Sequence, residues 1–229
     1  MDCHHEEHAI LALASGKHVY IEKPLATTVA GCLRVIEAAR RADKTLSMGF
    51  NLRHDPVVHK LRELVGQGVF GTIFSLQAIE HYNGGRTYHS RWNRFKSQTG
   101  GLWIHKGSHD FDVINYLMGP QTRPARVACF ASVSVFRPDR LPFPLRDGVP
   151  AGPRCSVCPY AKECPDAAPA TDTLLFNDQT AAVDGYHRDE CMYLSDKDTH
   201  DQGIAIVEYA NGATASHSEY FATDRKSVV

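Results

Sequence analysis

The sequence lacks any long hydrophobic run. No stretch approaches the roughly 18 to 20 apolar residues that a helix needs to cross a bilayer. The first ten residues, MDCHHEEHAI, have neither the basic start nor the apolar stretch of a signal peptide. These absences predict a protein without a membrane segment, located in the cytoplasm.

The sequence also lacks an excess of charge of either sign. Its 229 residues carry 25 Lys and Arg against 26 Asp and Glu, a formal net charge of −1. With so little net charge, no overall field attracts nucleic acid or an anionic membrane. Hydrophobic residues make up 43% and charged residues 22%, which is typical of a folded globular protein and argues against disordered and collagen-like classes.

Helical and strand patterns alternate at the start of the chain. Apolar residues recur at helical spacing over 5–15, and again after Thr27 or Thr28 up to residue 42. A β-rich run follows each helix, at 18–21 and at 46–50. This alternation is typical of βαβ units with parallel strands, so it predicts the α/β class for this part of the chain.

The rest of the chain predicts an α+β arrangement with a mostly antiparallel sheet. The strongest local signal is Asn211-Gly212, a hairpin turn between predicted strands at 203–209 and 214–222. Residues 81–100 are rich in Arg, Asn, Gly and His and predict a long loop. The other predicted elements are a helix over 55–65, a strand over 72–80, a helix over 102–118 and a strand over 125–135.

Two short motifs match known patterns without the context that those patterns need. Gly66-Gln-Gly68-Val-Phe-Gly71 matches the dinucleotide fingerprint, but a helix precedes it and a strand follows, the reverse of the required order. We therefore predict a turn and helix C-cap there, with no phosphate role. His4-His5-Glu6-Glu7-His8 matches the H-x-x-E-H zinc protease pattern, but with no clear third ligand a metalloprotease is disfavoured.

Glu22-Lys23-Pro24 places a lysine where a predicted parallel strand ends. Sheets of this class hold their ligand crevices at the carboxyl ends of such strands. A lysine at that place can hold or shift a proton. The alternative is a solvated strand end with no function.

The most informative stretch runs from Gly100 to Tyr116. On one helix, His105, His109, Asp112 and Tyr116 follow each other at steps of four, three and four residues, so they share one face. An imidazole passes a proton near neutral pH, and a carboxylate one turn away can fix its tautomer. The alternative is a solvated polar stripe.

Cysteines cluster in a segment rich in proline. Residues 137–173 hold eight of the twelve prolines, which predicts an irregular insertion without a core of its own. Thiolates two residues apart can share one Zn²⁺, and a fourth sulfur would close a structural site. An iron–sulfur cluster, free thiols or a disulfide are the alternatives, and His187 competes as fourth ligand. The proposed ligands are Cys155, Cys158, Cys164 and Cys191.

Three motifs together resemble one family. ASGKHVYIEKPL at 14–25, MGFNLRH at 48–54 and GGLWIHKGSHDFD at 100–112, in this order and spacing, are similar to the Gfo/Idh/MocA oxidoreductases. The resemblance implies a Rossmann domain that holds NAD or NADP, with its last part at 1–50. It further implies a C-terminal α/β domain over 51–229, whose open sheet covers the site and commonly makes dimers or tetramers.

The resemblance also implies an activity and residue roles. Such proteins typically move a hydride between the nicotinamide and a sugar or polyol carbon that bears a hydroxyl. Lys23 would contact that hydroxyl and His109 would act as general acid or base. The family often has an acidic residue where this chain has His105, while Asp112 remains one turn away. On the cofactor side we assign Glu22, Lys23, Pro24 and His5.

Further expectations follow from what the family has and this chain does not. The family has an opening strand, a glycine fingerprint and an acidic ribose-binding residue, which we expect to precede Met1. It also has further C-terminal strands, which we expect to follow Val229. We therefore expect the chain to be a fragment that binds NAD weakly and is inactive alone. The alternatives are a nonenzymatic oligomerising module stapled by zinc, and an enzyme that uses bound NAD for glycoside cleavage or epimerisation.

Overall fold

The computed structural model describes residues 1–168 and 177–222. The last part of the predicted insertion, 169–173, lies outside the described residues. The chain divides into two compact units. The first comprises Met1–Glu80, Ser97–Phe130 and Gly203–Glu219, and the second comprises 81–96, 220–222 and the described part of 131–202. A domain boundary near residue 50 stays a prediction.

The first unit begins with the predicted alternation of helices and strands. The helices are α1 (His5–Ala14) and α2 (Val29–Ala42), and the strands are β1 (Val19–Ile21) and β2 (Leu46–Met48). The two strands pair in parallel. Thr28 caps α2 by accepting a hydrogen bond from the Gly31 amide. The helices pack against the strand pair through a buried apolar cluster of Ala9, Leu13, Val35 and Ala39.

The glycines at 66–71 form a turn, as predicted. Helix α3 (Pro56–Gly66) begins after Asp55, whose carboxylate accepts hydrogen bonds from the amides of Val57 and Val58. It ends at the first glycine of the motif. Gly68 and Gly71 have φ angles of 73° and 64°, the left-handed region that glycine adopts without strain.

Two predictions for the middle of the chain are corrected. The predicted loop at 81–100 contains two short helices, α4 (Gly85–His89) and α5 (Lys96–Thr99). The single helix predicted over 102–118 is broken at Lys106 into α6 (Leu102–His105) and α7 (Gly107–Met118). His105 therefore ends one helix and His109 lies in the first turn of the next, so they do not share a continuous helical face.

A four-stranded sheet follows the order β3-β6-β5-β4. The strands are β3 (Ser75–His81), β4 (Pro124–Ser132), β5 (Gln202–Tyr209) and β6 (Thr214–Tyr220). The amide of Tyr209 donates to the carbonyl of Ala213, which closes the predicted hairpin. On the packed face, Val207, Tyr209, Ala213 and Ala215 form a core with Ile114 of α7. Alternate residues of β5 are exposed on the other face.

The second unit has its own small core of Phe136, Met192 and Tyr193. The buried Asp201 carboxylate accepts hydrogen bonds from three consecutive amides, 134–136. Helix α8 (Asp178–Asp184) was not predicted, and its cap is a reciprocal pair of hydrogen bonds between Asn177 and Thr180. Five 3₁₀ turns complete the described elements: Asp2–His4, Asn51–His54, Trp92–Arg94, Pro138–Arg140 and Cys155–Val157.

In the part of the chain that the structure describes, no helix is both long and apolar enough to span a bilayer.

Candidate active site

Lys23 lies just beyond the end of β1. Its half-buried ammonium donates a hydrogen bond to the main-chain carbonyl of His105. His5 supports the same turn, because its Nδ1–H donates to the carbonyl of Pro24 at 2.6 Å. Burial lowers the pKa of Lys23 below its ordinary value. Lys23 is therefore held in place at the carboxyl end of the parallel strands, and it releases its proton more readily than an exposed lysine.

The ends of the two parallel strands meet at Glu22. A Cβ atom on Gly49, the residue after β2, would lie 3.3 Å from Oε1 of Glu22, so the glycine makes room for this carboxylate. The amide of Gly49 also donates to the carbonyl of Ile21 at 2.8 Å. All four residues assigned to the cofactor side, Glu22, Lys23, Pro24 and His5, thus lie around one strand end.

Two glycines place His105 beside Lys23. Gly100 and Gly101 have φ angles of 77° and 100°, and a Cβ atom on Gly100 would lie 2.8 Å from the carbonyl oxygen of Thr27. Only glycine combines this conformation with so close an approach. Helix α6 starts at this turn and carries His105 to Asp2, where its Nδ1 is 2.6 Å from a carboxylate oxygen. Asp2 thus places a carboxylate against the imidazole of His105.

His109 lies half-buried in the first turn of α7. Its ring meets the edge of Phe50 at a centroid distance of 6.2 Å. Burial, followed by the positive charges of Lys23 and Lys106, lowers the pKa of His109 to about 4. Its Nδ1 is buried and has no hydrogen-bond partner among the described residues. Near neutral pH the ring is uncharged, and an uncharged imidazole can accept a proton.

The structure brings Asp112 to Arg53 and not to His109. Both carboxylate oxygens of the buried Asp112 accept hydrogen bonds from the Arg53 guanidinium, at 2.5 and 2.7 Å. The guanidinium also lies over the ring of Tyr116, 5.0 Å from its centroid. The spacing of three residues suggested that Asp112 fixes the tautomer of His109. The structure corrects this prediction, because the Asp112 carboxylate is paired with Arg53. This two-point pairing instead ties the 51–54 turn to α7.

The predicted site residues thus fall into two groups. Lys23, His105 and His109 come together, whereas Asp112 has a separate partner. Sequence reasoning missed Asp2 and Lys106, which contact or act on this group. Lys106 stands inside the GGLWIHKGSHDFD motif and could have been noticed there, whereas no local pattern marks Asp2.

Within the described residues, the four clustered cysteines are not arranged as a metal site. All are free thiols, and burial raises the pKa of Cys164. Among residues 1–168 and 177–222, no group of three or more His, Cys, Asp or Glu side chains is arranged to hold a metal ion. The structural zinc expected on Cys155, Cys158, Cys164 and Cys191 is therefore not seen, and His187 faces Asp178 at 4.0 Å.

The H-x-x-E-H motif also lacks metal-binding geometry. The rings of His4 and His8 stack on each other at a centroid distance of 5.8 Å. Glu6 is paired with the Arg34 guanidinium at 2.5 Å. The segment therefore forms part of the surface around the start of α1, and Glu6 joins it to Arg34 of α2.

Two family models match the chain. The model of the NAD-binding Rossmann fold of an oxidoreductase family matches residues 1–50. The model of the C-terminal alpha/beta domain of the same family matches residues 62–228. The two matches follow each other in the order expected for one protein of that family.

Known proteins are similar over different parts of the chain. The YteT protein of Bacillus subtilis strain 168 is 30% identical over 232 residues, which cover 95% of this chain and 53% of YteT. The myo-inositol 2-dehydrogenase of Thermotoga maritima is 33% identical over 117 residues, 51% of this chain and 34% of that enzyme. The chain thus spans about half the length of these relatives or less.

A solved structure shares the fold. The WlbA dehydrogenase of Bordetella pertussis, in complex with NADH and UDP-GlcNAcA, matches 98% of this chain and 51% of its own with a TM-score of 0.64 and 18% identity. Together with the family models, this likeness confirms the predicted fold class. The chain has a Rossmann-like start and a C-terminal α/β domain with a mostly antiparallel sheet.

Proposed function

Because this chain belongs to the Gfo/Idh/MocA oxidoreductase family, we propose that it carries the proton-transfer site of an NAD(P)-dependent sugar or polyol dehydrogenase. The observation that carries the proposal is the convergence of Lys23, His105 and His109. Their segments are far apart in sequence, yet the Lys23 ammonium bonds to the carbonyl of His105 and its charge acts on His109. A lysine at the end of a parallel strand and an uncharged imidazole within reach of its charge suit an alcohol substrate.

Lys23 and His109 have different roles in the proposed proton transfer. In the oxidation direction, Lys23 donates a hydrogen bond to the substrate oxygen, and His109 accepts the hydroxyl proton as the carbon–oxygen double bond forms. When bound, a nicotinamide cofactor accepts the hydride from the same carbon. In the reverse direction His109 returns the proton to the oxygen. The orphaned Nδ1 of His109 is consistent with a site whose hydrogen-bond partner is a ligand.

The strand ends fit the cofactor that the family model names. Glu22, Lys23, Pro24 and His5 surround the carboxyl end of β1, the place where sheets of this class bind nucleotides. These residues would hold the nicotinamide side of the cofactor.

Self-association through the sheet is a second part of the proposal. Ile79, Ile204 and Ile206 are exposed on the strands β3 and β5, opposite the face that packs on α7. Exposed apolar side chains on one sheet face are typical of an interaction surface. The partner we propose is a second copy of the chain. The uncovered face belongs to the sheet of the C-terminal domain, which commonly makes dimers or tetramers in proteins of this family. A cytoplasmic location stays a prediction from the sequence.

A substrate panel tests the proposed activity on the protein that contains this sequence. Sugars and polyols, including myo-inositol, are supplied with NAD or NADP, and reduced cofactor is measured by absorbance. The expected result is reduction of the cofactor with at least one polyol or sugar, lost in Lys23→Met and His109→Gln. Product analysis runs in parallel, because cleavage or epimerisation without net cofactor reduction would contradict the dehydrogenase and favour the redox-neutral alternative. No turnover of any kind would contradict both.

A further inference from the structure

A group of charged side chains is buried at one end of the packed face of the sheet. Along β3 and β6 the inward positions begin with Leu76, Ala78 and Ala215, but end with Glu80, His217 and Glu219. His217 and Glu219 are fully buried, and ionisable residues are rarely fully buried unless they are paired. Apolar packing therefore gives way to a polar cluster beneath the start of α7.

The cluster is joined to α7 by short contacts. Lys106 Nζ lies 2.7 Å from Oε1 of Glu80, and both side chains are mostly buried. His217 Nε2 is 3.6 Å from the Glu219 carboxylate and 3.9 Å from that of Asp110. A Cβ atom on Gly107 would lie 3.2 Å from Oε2 of Glu219, so the glycine lets this carboxylate approach the helix start. Lys106 stands at the break between α6 and α7.

The peptide groups on the two sides of Lys106 bond to the two proposed proton-transfer residues. The carbonyl of the preceding peptide, which belongs to His105, accepts the hydrogen bond from Lys23. The carbonyl of Lys106 itself accepts a hydrogen bond from the amide of His109 at 3.1 Å. The side chain that is paired with Glu80 therefore starts from the backbone segment that connects Lys23 to His109.

We propose that Lys106, held by its ion pair with Glu80, is a positioning residue that keeps a positive charge beside Lys23 and His109 and so favours their proton-free forms. The inference rests on the proposed function, because it assigns Lys106 to the same proton transfer. Lys106 acts through Lys23 and His109 and is not itself required to touch the substrate.

The charges on the two partners act in opposite directions. After burial, Lys106 contributes to the lowered pKa of His109 and of Lys23, whereas Glu80 works against both changes. Burial and the neighbouring Asp110 raise the pKa of Glu80 itself, and Lys106 opposes them. The other charged or titratable groups near this site are Asp2 and His105, Glu22 at the strand end, Asp112 with Arg53, and Asp110, His217 and Glu219.

The opposite signs give a test that simple destabilisation cannot imitate. The side-chain signals of Lys23 are followed by NMR as a function of pH, in the range where Glu80 is ionised, and are identified by their loss in Lys23→Met. We expect Lys106→Met to shift the titration of Lys23 to higher pH and Glu80→Gln to shift it to lower pH. Lys106→Arg keeps the charge and is expected to leave the titration near that of the unchanged protein.

A control variant and an activity measurement complete the test. Lys60→Met removes a lysine from an exposed ion pair with Glu63, and as the matched control it is expected to leave the NMR titration unchanged. In the dehydrogenase assay, the base must be unprotonated, so the acidic limb of kcat/KM is expected to move to higher pH in Lys106→Met. If Lys106→Met fails to fold, as judged by circular dichroism, Glu80→Gln alone still has to give the downward shift.

The outcomes separate the inference from the proposed function. Shifts of the same sign in both variants, or no shift in either, would overturn the role of Lys106 even if the dehydrogenase is active. Shifts of opposite sign in a protein without any dehydrogenase activity would instead overturn the proposed function, because the NMR titration does not depend on turnover.

Discussion

The ammonium of Lys23 donates a hydrogen bond to the main-chain carbonyl of His105, although 82 residues separate the two in the chain. This bond joins the end of the first parallel strand to the break between α6 and α7. His109 follows four residues later, in the first turn of α7, and burial together with the positive charge of Lys23 lowers its pKa. The bond therefore brings together the two residues to which we assign proton transfer.

The first prediction concerns these two residues. His109→Gln removes the proton acceptor, and we expect kcat/KM to fall by about 10²- to 10⁴-fold, the usual contribution of a general base. Lys23→Met should give a loss of similar size, because the hydrogen bond to the substrate oxygen is lost. Lys60→Met is the matched control on the surface of α3. Activity within a few-fold of the unchanged protein in either site variant would contradict the assignment.

The second prediction concerns the pair of Arg53 and Asp112. Asp112 has only 7% of its side chain exposed, against 43% for Arg53. Removing the guanidinium in Arg53→Met leaves a buried carboxylate without its partner, so we expect the free energy of unfolding to fall by about 1 to 3 kcal/mol. The double variant Arg53→Met/Asp112→Leu should recover part of this loss. Urea unfolding measures both, and strictly additive effects would show that the two residues are not coupled.

The third prediction is a pH dependence of stability caused by His89. Burial, helped by the positive charges of Lys197 and His200, lowers the pKa of His89 from 6.5 to about 3 in the folded protein. The unfolded chain therefore binds one more proton than the folded chain between these values. The contribution of His89 is complete above pH 6.5 and is lost as the pH falls, by about 1.4 kcal/mol for each pKa unit of difference.

Urea unfolding at about pH 8 and about pH 5 checks this prediction. We expect stability to fall between the two values in the unchanged protein and to fall less in His89→Gln. The exposed His59 provides the matched control, since His59→Gln should keep the original pH dependence. An equal loss of stability in His89→Gln would show that other groups cause it.

The fourth prediction concerns the uncovered face of the sheet. Ile206 is 51% exposed in the middle of β5, and a lysine there would place a charge in any interface formed by this face. We expect Ile206→Lys to lower the mass measured by light scattering toward that of the single chain. Val57→Lys, at an exposed position of α3, is the control that should leave the mass unchanged. A single-chain mass for the unchanged protein would contradict self-association directly.

The predictions from sequence were most accurate where structure depends on near neighbours. Apolar spacing located α1, α2 and α3, and Asn211-Gly212 located the hairpin, because each signal acts within a few residues. The helix over 102–118 was predicted as one element, although the structure breaks it at Lys106. The residue next to the break, Gly107, lies against the buried carboxylate of Glu219, more than a hundred positions later. No local pattern reports such a contact.

The sequence by itself determined which residues are candidates for proton transfer: a lysine at a strand end and histidines in a glycine-flanked motif. Only the tertiary structure decided their partners. It paired His105 with Asp2 across 103 positions and Asp112 with Arg53 across 59. It also left the cysteines as free thiols without metal geometry in the described residues. Periodicity tells which side of an element a residue faces, whereas its partner depends on the path of the whole chain.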